Sequence, residues 1–239
     1  MKFVPMSSSA EGMNEYEHFY FSALHSLGLL CFRQLLHVST HRDIGVRRFA
    51  WAIPNEKALA TIARLCSPES TVLDFGAGSG FWCYALRRHL PGTVGVRALD
   101  NNLEWSARDR TGEPDAPNVP PKVRKTGFWH PVIQGDVSDL LHIAFDVLLL
   151  VWPNWADTMA IEVLIRLRTQ RPTATLVYVG EPRGGANAEP RFFDELEAHW
   201  TLVETVDIPQ WPGRRDALFV YRLRPPVTWV FDSNGNGKY

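Results

Sequence analysis

The sequence predicts an α/β fold with a doubly wound, mostly parallel sheet, and two observations support this prediction. The first is the stretch TVLDFGAGSGFW at 71–82, where an apolar run leads into three alternate glycines and then into a helical pattern. This order is typical of a buried strand, a tight loop and a helix start. The second is the alternation of strand-like and helix-like segments after residue 70, which is the pattern of a parallel sheet covered by helices.

Composition limits the classes of protein to be considered. The 239 residues are 45% apolar and carry a net charge of -1, which allows a full core but gives no overall basic charge to favour nucleic acid. Cys31, Cys66 and Cys83 form no metal-binding pattern, and their free thiols fit a reducing compartment. Because the sequence has neither a signal-peptide pattern nor an apolar run of about 18 residues, we expect a cytoplasmic protein without a membrane partner.

Residues 1–50 are expected to form a flexible tail and an N-terminal helical extension. The tail runs to about residue 13, and a helix is predicted over 14–38 with apolar residues on overlapping faces. So broad an apolar surface favours packing against the rest of the chain, and a homodimer face is the alternative. The charged segment 40–50 is interpreted as a connector.

The glycine loop itself indicates a bound ligand. Glycine is needed where the backbone takes positive φ or approaches a ligand closely, and the free N–H groups at the following helix start face such a ligand. The dinucleotide pattern G-x-G-x-x-G fails because Gly80 follows Gly78 by two residues, and a P-loop fails because no Lys follows Gly80. What remains is an acid, Asp74, followed by G-x-G-x-G from Gly76.

Asp74 and this glycine spacing resemble the first motif of the class I S-adenosylmethionine (SAM)-dependent methyltransferases. The resemblance covers about 51–224, and it implies a seven-stranded sheet and SAM as the cofactor. Gly76, Gly78 and Gly80 would then lie under the amino-acid end of SAM, and Asp74 would help to hold its amino group. The family often folds the segment before the first strand over the SAM pocket. The segment around Trp51 is therefore either a lid or a helix anchored on the sheet.

Two further acids follow predicted strands. Asp100 ends the strand predicted at 93–99 and stands 20 residues after Gly80, where an acid accepts hydrogen bonds from ribose hydroxyls. By the resemblance, Asp136 would meet the amino group of adenine. Each acid also has a simpler interpretation, since Asp is a common turn residue at strand ends.

The acceptor end of the resemblance departs from the family pattern. The apolar run 144–151 predicts a central strand, and Trp152-Pro153-Asn154-Trp155 follows it, where the family's fourth motif lies beside the transferred methyl. Enzymes that methylate nucleic-acid bases have Asp or Asn followed by Pro-Pro here. Trp152 is therefore expected at the cofactor, and its departure from the motif argues against N-methylation of a nucleic-acid base.

Two residues are candidates for catalysis. Glu181 follows the strand predicted at 173–179 and could act as a general base, although a solvated loop Glu is an equal alternative. His130, with Trp152, would face the acceptor. The segment 111–127 is predicted to be an exposed insertion, 201–208 and 217–223 an antiparallel strand pair, and 225–239 a C-terminal tail.

These observations predict a SAM-dependent methyltransferase whose partners are SAM and an unidentified acceptor, a small molecule or protein rather than nucleic acid. The alternative is a non-catalytic SAM-binding or methyltransferase-like regulatory protein. A third hypothesis, an NAD-dependent enzyme, is opposed by the glycine spacing.

Overall fold

The computed structural model describes residues 12–28, 35–101, 128–225, 230–231 and 237–238. The helices are α1 (Glu15–Gly28), α2 (Leu35–Arg48), α3 (Glu56–Arg64), α4 (Phe81–Arg87), α5 (Met159–Gln170) and α6 (Pro190–His199), with a 3-10 helix at Val137–Leu141. The strands are β1 (Thr71–Phe75), β2 (Gly95–Asp100), β3 (Val132–Gln134), β4 (Val147–Val151), β5 (Thr175–Gly180), β6 (Trp200–Asp207), β7 (Ala217–Leu223), β8 (Val230–Phe231) and β9 (Gly237–Lys238).

Seven strands form one mixed sheet in the order β3-β2-β1-β4-β5-β7-β6. The first five pair in parallel, and β7 enters antiparallel between β5 and β6. Apolar clusters cover both faces, with α5 and α6 on one face and α3 and α4 on the other. The predicted doubly wound, mostly parallel seven-stranded fold is thereby confirmed.

The described N-terminal helices pack on their own chain through aromatic rings. Tyr16 of α1 is fully buried, and Phe49, directly after α2, is 1% exposed. The ring centroid of Phe49 lies 4.7 Å from that of Tyr16, 5.1 Å from that of Phe81 at the start of α4, and 5.6 Å from that of Trp129. We call Tyr16, Phe49, Phe81 and Trp129 the aromatic cluster. It joins the extension to the glycine loop, which favours packing on the chain for these residues.

One expectation about a segment outside the sheet was wrong. The segment 40–50 is helical to Arg48, and within it Gly45 lets α2 approach α1 so closely that a Cβ there would lie 3.0 Å from the Tyr16 ring. The C-terminal tail contains the paired strands β8 and β9. The insertion at 111–127 lies outside the described residues, as do 1–11 and 29–34. Among the described helices, none is long and apolar enough to span a bilayer.

Candidate functional site

The loop between β1 and α4 has a backbone conformation that glycine supports. Gly76, Gly78 and Gly80 have φ of 71°, 52° and 71°, in the left-handed region that residues with a Cβ adopt at a cost. The N–H groups of Gly76 and Ala77 both donate to the carbonyl of Leu99, at 2.9 and 3.0 Å. These bonds hold the loop against the carboxyl end of β2.

Gly80 also lies in close contact with a neighbouring segment, which gives a test of the loop. A Cβ at Gly80 would lie 2.9 Å from the carbonyl oxygen of His130, whereas a Cβ at Gly213, which also has positive φ, would meet nothing within 4 Å. We expect Gly80→Ala to lower the free energy of unfolding by about 2–4 kcal/mol, and Gly213→Ala by about 1 kcal/mol from backbone strain alone. Urea denaturation measures both losses, and equal losses would contradict the close contact.

A cleft with a cavity volume of about 170 Å³ lies at the carboxyl ends of β1, β2 and β3. Gly76, Asp100 and Asp136 line the cleft, so three of the predicted cofactor residues lie together. Asp157 and Glu162 add two carboxylates that the sequence analysis did not single out. An acid-rich wall of this kind favours a ligand with positive charge or with hydrogen-bond donors.

Both predicted acids of the cleft already make hydrogen bonds within the chain. The carboxylate of Asp100 accepts the N–H of Gly78 at 2.8 Å, which ties it to the glycine loop. Oδ1 of Asp136 accepts the N–H and the hydroxyl of Ser138, at 2.7 and 2.6 Å. These two bonds hold the pKa of Asp136 below its ordinary value, so this exposed carboxylate is ionised at neutral pH.

The strand order sets the position of the cleft. The chain crosses from β1 to β2 on one side and reaches β4 on the other, so β1 and β4 flank the switch point at which open α/β sheets bind ligands. The glycine loop follows β1 and Asp100 ends β2, while β7 runs antiparallel next to the sheet edge. This strand order is typical of class I methyltransferase folds.

Asp74 of this methyltransferase fold lies behind the loop and does not line the cleft. It is 1% exposed, and its Oδ1 is buried without a hydrogen-bond partner. Its Oδ2 accepts the thiol of Cys83 on α4 at 3.6 Å. Burial and, to a smaller extent, the negative charge of Asp100 together raise the pKa of Asp74 to about 7, while the hydrogen bond from the Cys83 thiol opposes this shift.

Trp152, which directly follows β4, lies in a second group of side chains. Its φ of 50° is in the left-handed region, a strained conformation for a bulky residue. Its indole N–H donates to Asp216 at 2.6 Å, and its ring stacks on that of Trp51 with centroids 5.1 Å apart. Burial raises the pKa of Asp216, which is 2% exposed, to about 6. Trp152 thus adjoins the N-terminal segment and β7 and does not line the acid-rich cleft.

Glu181 follows β5 and is engaged in hydrogen bonds within its own loop region. It is 3% exposed. One carboxylate oxygen accepts the N–H of Arg215 at 3.0 Å, and the other accepts the N–H of Ala186 at 2.6 Å. A guanidinium nitrogen of Arg214 lies 3.7 Å from the second oxygen. Glu181 therefore organises the loops after β5 and before β7, which accounts for its burial without a catalytic role.

His130 lies away from both groups. Its ring Nε2 is 3.3 Å from the carbonyl oxygen of Val96, near the amino end of β2. Burial lowers the pKa of His130 below its ordinary value, although the Val96 carbonyl opposes this shift. The described structure therefore brings His130 next to Gly80 through its backbone, and its imidazole next to neither Glu181 nor Trp152.

Sequence reasoning missed two residues beside Trp152. Arg42 was assigned to a connector, yet its guanidinium carbon lies 5.3 Å from the ring centroids of both Trp51 and Trp152. Asp216 follows a basic pair and was treated as part of a loop. The departure of Trp152 from the family motif was the one available signal, because the other contacts join residues far apart in the sequence.

Comparisons with solved structures give likenesses at low identity. The chain is similar to TrmN from Thermus thermophilus, at 18% identity and a TM-score of 0.46, over 70% of this chain and 47% of that one. It is similar to a TehB-like SAM-dependent methyltransferase from Corynebacterium glutamicum, at 14% identity and a TM-score of 0.43, over 70% of this chain and 86% of that one. It is also similar to the SAH-bound form of CalO1, a methyltransferase in calicheamicin biosynthesis, at 18% identity and a TM-score of 0.43, over 87% of this chain and 61% of that one.

The chain thus spans less than half the length of TrmN. No protein-family model matches the chain, and no curated protein matches it either. With scores and identities this low, neither an activity nor an acceptor carries over from these proteins, and the fold assignment rests on the strand order.

Proposed function

We propose that this chain binds SAM in the acid-rich cleft and transfers its methyl group to an acceptor. The observation that carries the proposal is the glycine loop tied by Gly78 to the carboxylate of Asp100, at the carboxyl ends of β1 and β2. In this fold a ligand at that place meets backbone N–H groups from the loop and an acid from the next strand.

The residues present fit SAM. Asp74 has a buried oxygen without a partner just below the loop, which suits a ligand amino group or an intervening water. A Cβ at Gly76 would be in ordinary van der Waals contact with Met159, at 3.4 Å, so the described chain does not crowd this position. The carboxylates of Asp100 and Asp136 suit the ribose hydroxyls and the adenine amino group, both of which donate hydrogen bonds. The acidic wall also suits the positive charge of a sulfonium.

The chain's own residues would bind SAM, orient it and exclude water from it. Bound SAM supplies a methyl group on a sulfonium, ready for attack by an acceptor heteroatom. Gly76, Gly78 and Gly80 would seat the amino-acid end, while Asp100 and Asp136 fix the other end. Holding two reactants in attack geometry is worth up to about 7–11 kcal/mol of barrier in favourable cases, so positioning can supply most of the rate enhancement.

A second candidate function is a SAM-binding protein without turnover. Each oxygen of Glu181 accepts a backbone N–H, and the imidazole of His130 lies beside Val96. Neither predicted catalytic residue therefore has a geometry that favours proton transfer from an acceptor in the cleft. Methylation assays with mixed acceptors, on protein shown to bind SAM, distinguish the two functions.

Calorimetric titration with SAM and with S-adenosylhomocysteine (SAH) tests the cofactor. We expect the parent protein to bind with micromolar affinity and Gly78→Val to bind at least about 100-fold more weakly. A branched side chain at φ of 52° would strain the backbone of the loop and occupy space beside it. Gly92→Val is the matched control, because a Cβ at Gly92 would meet nothing within 4 Å. Its affinity should be unchanged.

The fold of each variant is checked by its melting temperature and far-UV circular dichroism. Asp100→Asn serves beside Gly78→Val, since it keeps the side-chain shape while removing the charge. A folded parent protein that binds neither SAM nor SAH would overturn the proposed function.

A further inference from the structure

Four side chains meet beside the carboxyl end of β4, outside the acid-rich cleft. They are Arg42, Trp51, Trp152 and Arg214, which we call the arginine–tryptophan cluster. The guanidinium carbon of Arg42 lies 5.3 Å from the ring centroids of both tryptophans, and that of Arg214 lies 5.7 Å from Trp152. Two positive charges thus flank one stacked pair of rings, which is 36% exposed at Trp51.

Part of the hydrogen-bonding capacity of Arg42 is unused in the described structure. Its Nε and Nη2 are buried and have no hydrogen-bond partner. A buried donor without a partner is costly, and more so when it is charged. Burial and, after it, the charge of Arg214 lower the pKa of Arg42, while Tyr16, Asp216 and Asp43 oppose the shift without a hydrogen bond to it. Nε and Nη2 of Arg42 therefore lack a hydrogen-bond acceptor.

The nearby carboxylates of Asp216 and Glu181 accept hydrogen bonds from groups other than Arg42. Oδ1 of Asp216 accepts the indole N–H of Trp152 at 2.6 Å. Both oxygens of Glu181 accept backbone N–H groups, and its distance to Arg214 is 3.7 Å. These carboxylates reduce the charge of the region, but they leave the planar edge of the Arg42 guanidinium, Nε and Nη2, without an oxygen. Such an edge matches the two oxygens of a carboxylate or phosphate.

One connection in the chain contributes residues to both the cluster and the proposed SAM site. The connection from β4 to α5 contributes Trp152 to the cluster and Asp157 to the cleft. A small molecule on the cluster would therefore lie on the β4 side of a ligand in the cleft. The strained φ of Trp152 holds its ring at the start of this connection, and such strain is often kept at binding sites.

We propose that the arginine–tryptophan cluster binds an oxyanion group, a carboxylate or phosphate, of a small-molecule methyl acceptor, with Arg42 as its main ligand. This inference rests on the proposed function, because it names the acceptor of that same site. The oxyanion would supply the missing hydrogen-bond acceptors of Arg42 and offset the repulsion between Arg42 and Arg214. The rings of Trp51 and Trp152 would pack against the apolar body of the acceptor.

Anion binding can be measured without knowing the acceptor. Benzoate, its neutral isostere benzamide and inorganic phosphate are titrated into the full chain saturated with SAH, at constant ionic strength, while tryptophan fluorescence is followed. We expect a saturable change with benzoate or phosphate and at least about tenfold weaker binding of benzamide. The tighter of the two anions identifies the acceptor as a carboxylate or a phosphate.

Variants of α2 assign the effect to Arg42. Arg42→Gln should weaken anion binding at least about tenfold, and Arg42→Lys should restore it only partly, because an ammonium lacks the planar fork. Arg47→Gln is the matched control, since Arg47 is an exposed arginine on the same helix. Equal weakening in Arg42→Gln and Arg47→Gln would overturn the inference, and so would the absence of saturable binding of either anion to the parent protein.

Two further measurements distinguish this inference from the proposed function and from the possibility that Arg42 binds the carboxylate of the cofactor itself. If Arg42→Gln weakens the binding of SAH but not of methylthioadenosine, which has no carboxylate, Arg42 binds the cofactor and the inference fails. Binding of SAH without anion binding overturns this inference and leaves the proposed function standing. Anion binding by a protein that does not bind SAH overturns the proposed function, and with it the assignment of the anion as a methyl acceptor.

Discussion

Replacing Phe49 by alanine should lower the free energy of unfolding by about 3–5 kcal/mol, the usual cost of truncating a buried Phe. Phe49 is 1% exposed, and its ring contacts Tyr16, Phe81 and Trp129. The variant would leave a cavity between the N-terminal helices and the start of α4. Aromatic pairs add about 0.5–1.5 kcal/mol each beyond burial, which places the expected loss in the upper part of this range. Urea denaturation measures it.

Trp155→Ala is the control for Phe49→Ala, because Trp155 is 58% exposed. Its substitution should change the free energy of unfolding by less than about 0.5 kcal/mol. Phe49→Leu, which keeps most of the apolar volume, should lose less than Phe49→Ala. If Phe49→Ala were as harmless as Trp155→Ala, the N-terminal helices would not be packed on their own chain as described.

Asp74→Asn should stabilise the protein above neutral pH and leave its stability in acid nearly unchanged. The folded-state pKa of Asp74 is raised from 3.8 to about 7 by burial and by the charge of Asp100. The stabilisation associated with its protonated form is therefore fully present below pH 3.8 and is lost as the pH rises to about 7. An amide resembles the protonated acid and does not ionise, so Asp74→Asn should be more stable at pH 8 by about 2–4 kcal/mol.

The difference in the free energy of unfolding between the parent and Asp74→Asn, measured from pH 4 to 8, checks this expectation. Asp216 titrates in part of the same range, with a pKa of about 6, but it is present in both proteins and cancels in the difference. A difference that stays constant with pH would refute the raised pKa. The same variant should bind SAH more weakly if Asp74 holds the amino group, which would be a trade of stability for function.

The sheet was predictable because its signals are local. The run 144–151 contains β4, and the apolar run that opens the stretch 71–82 belongs to β1, since a buried parallel strand is apolar over successive residues. The helix α2 was missed for the opposite reason. It has little amphipathic pattern, and its stability comes from Gly45 and Phe49 packing on α1, which local sequence does not reveal.

The cleft and the arginine–tryptophan cluster also differ in how far the sequence predicts them. Gly76 and Asp100 were predicted from their spacing after consecutive strands, and Asp136 from the family resemblance; all three line the cleft. Arg42 and Asp216 come from opposite ends of the chain and meet only after folding around Trp152. Glu181 was correctly placed at a strand end, but its hydrogen bonds to the backbone of Ala186 and Arg215 depend on loop conformations that a sequence pattern does not specify.

Ser79, in the middle of the glycine loop, is anchored from two sides. Its hydroxyl donates to the carbonyl of Phe49, and its own carbonyl accepts the backbone N–H of Trp129 at 2.9 Å. The indole N–H of Trp129 in turn donates to the backbone carbonyl of Arg48 at 2.7 Å. Folding has therefore already met the entropic cost of ordering this loop before any small molecule arrives. Less of the intrinsic binding energy is then lost to immobilising the backbone. Removal of the N-terminal helices should therefore weaken SAH binding, even though none of the side chains described in these helices lines the cleft.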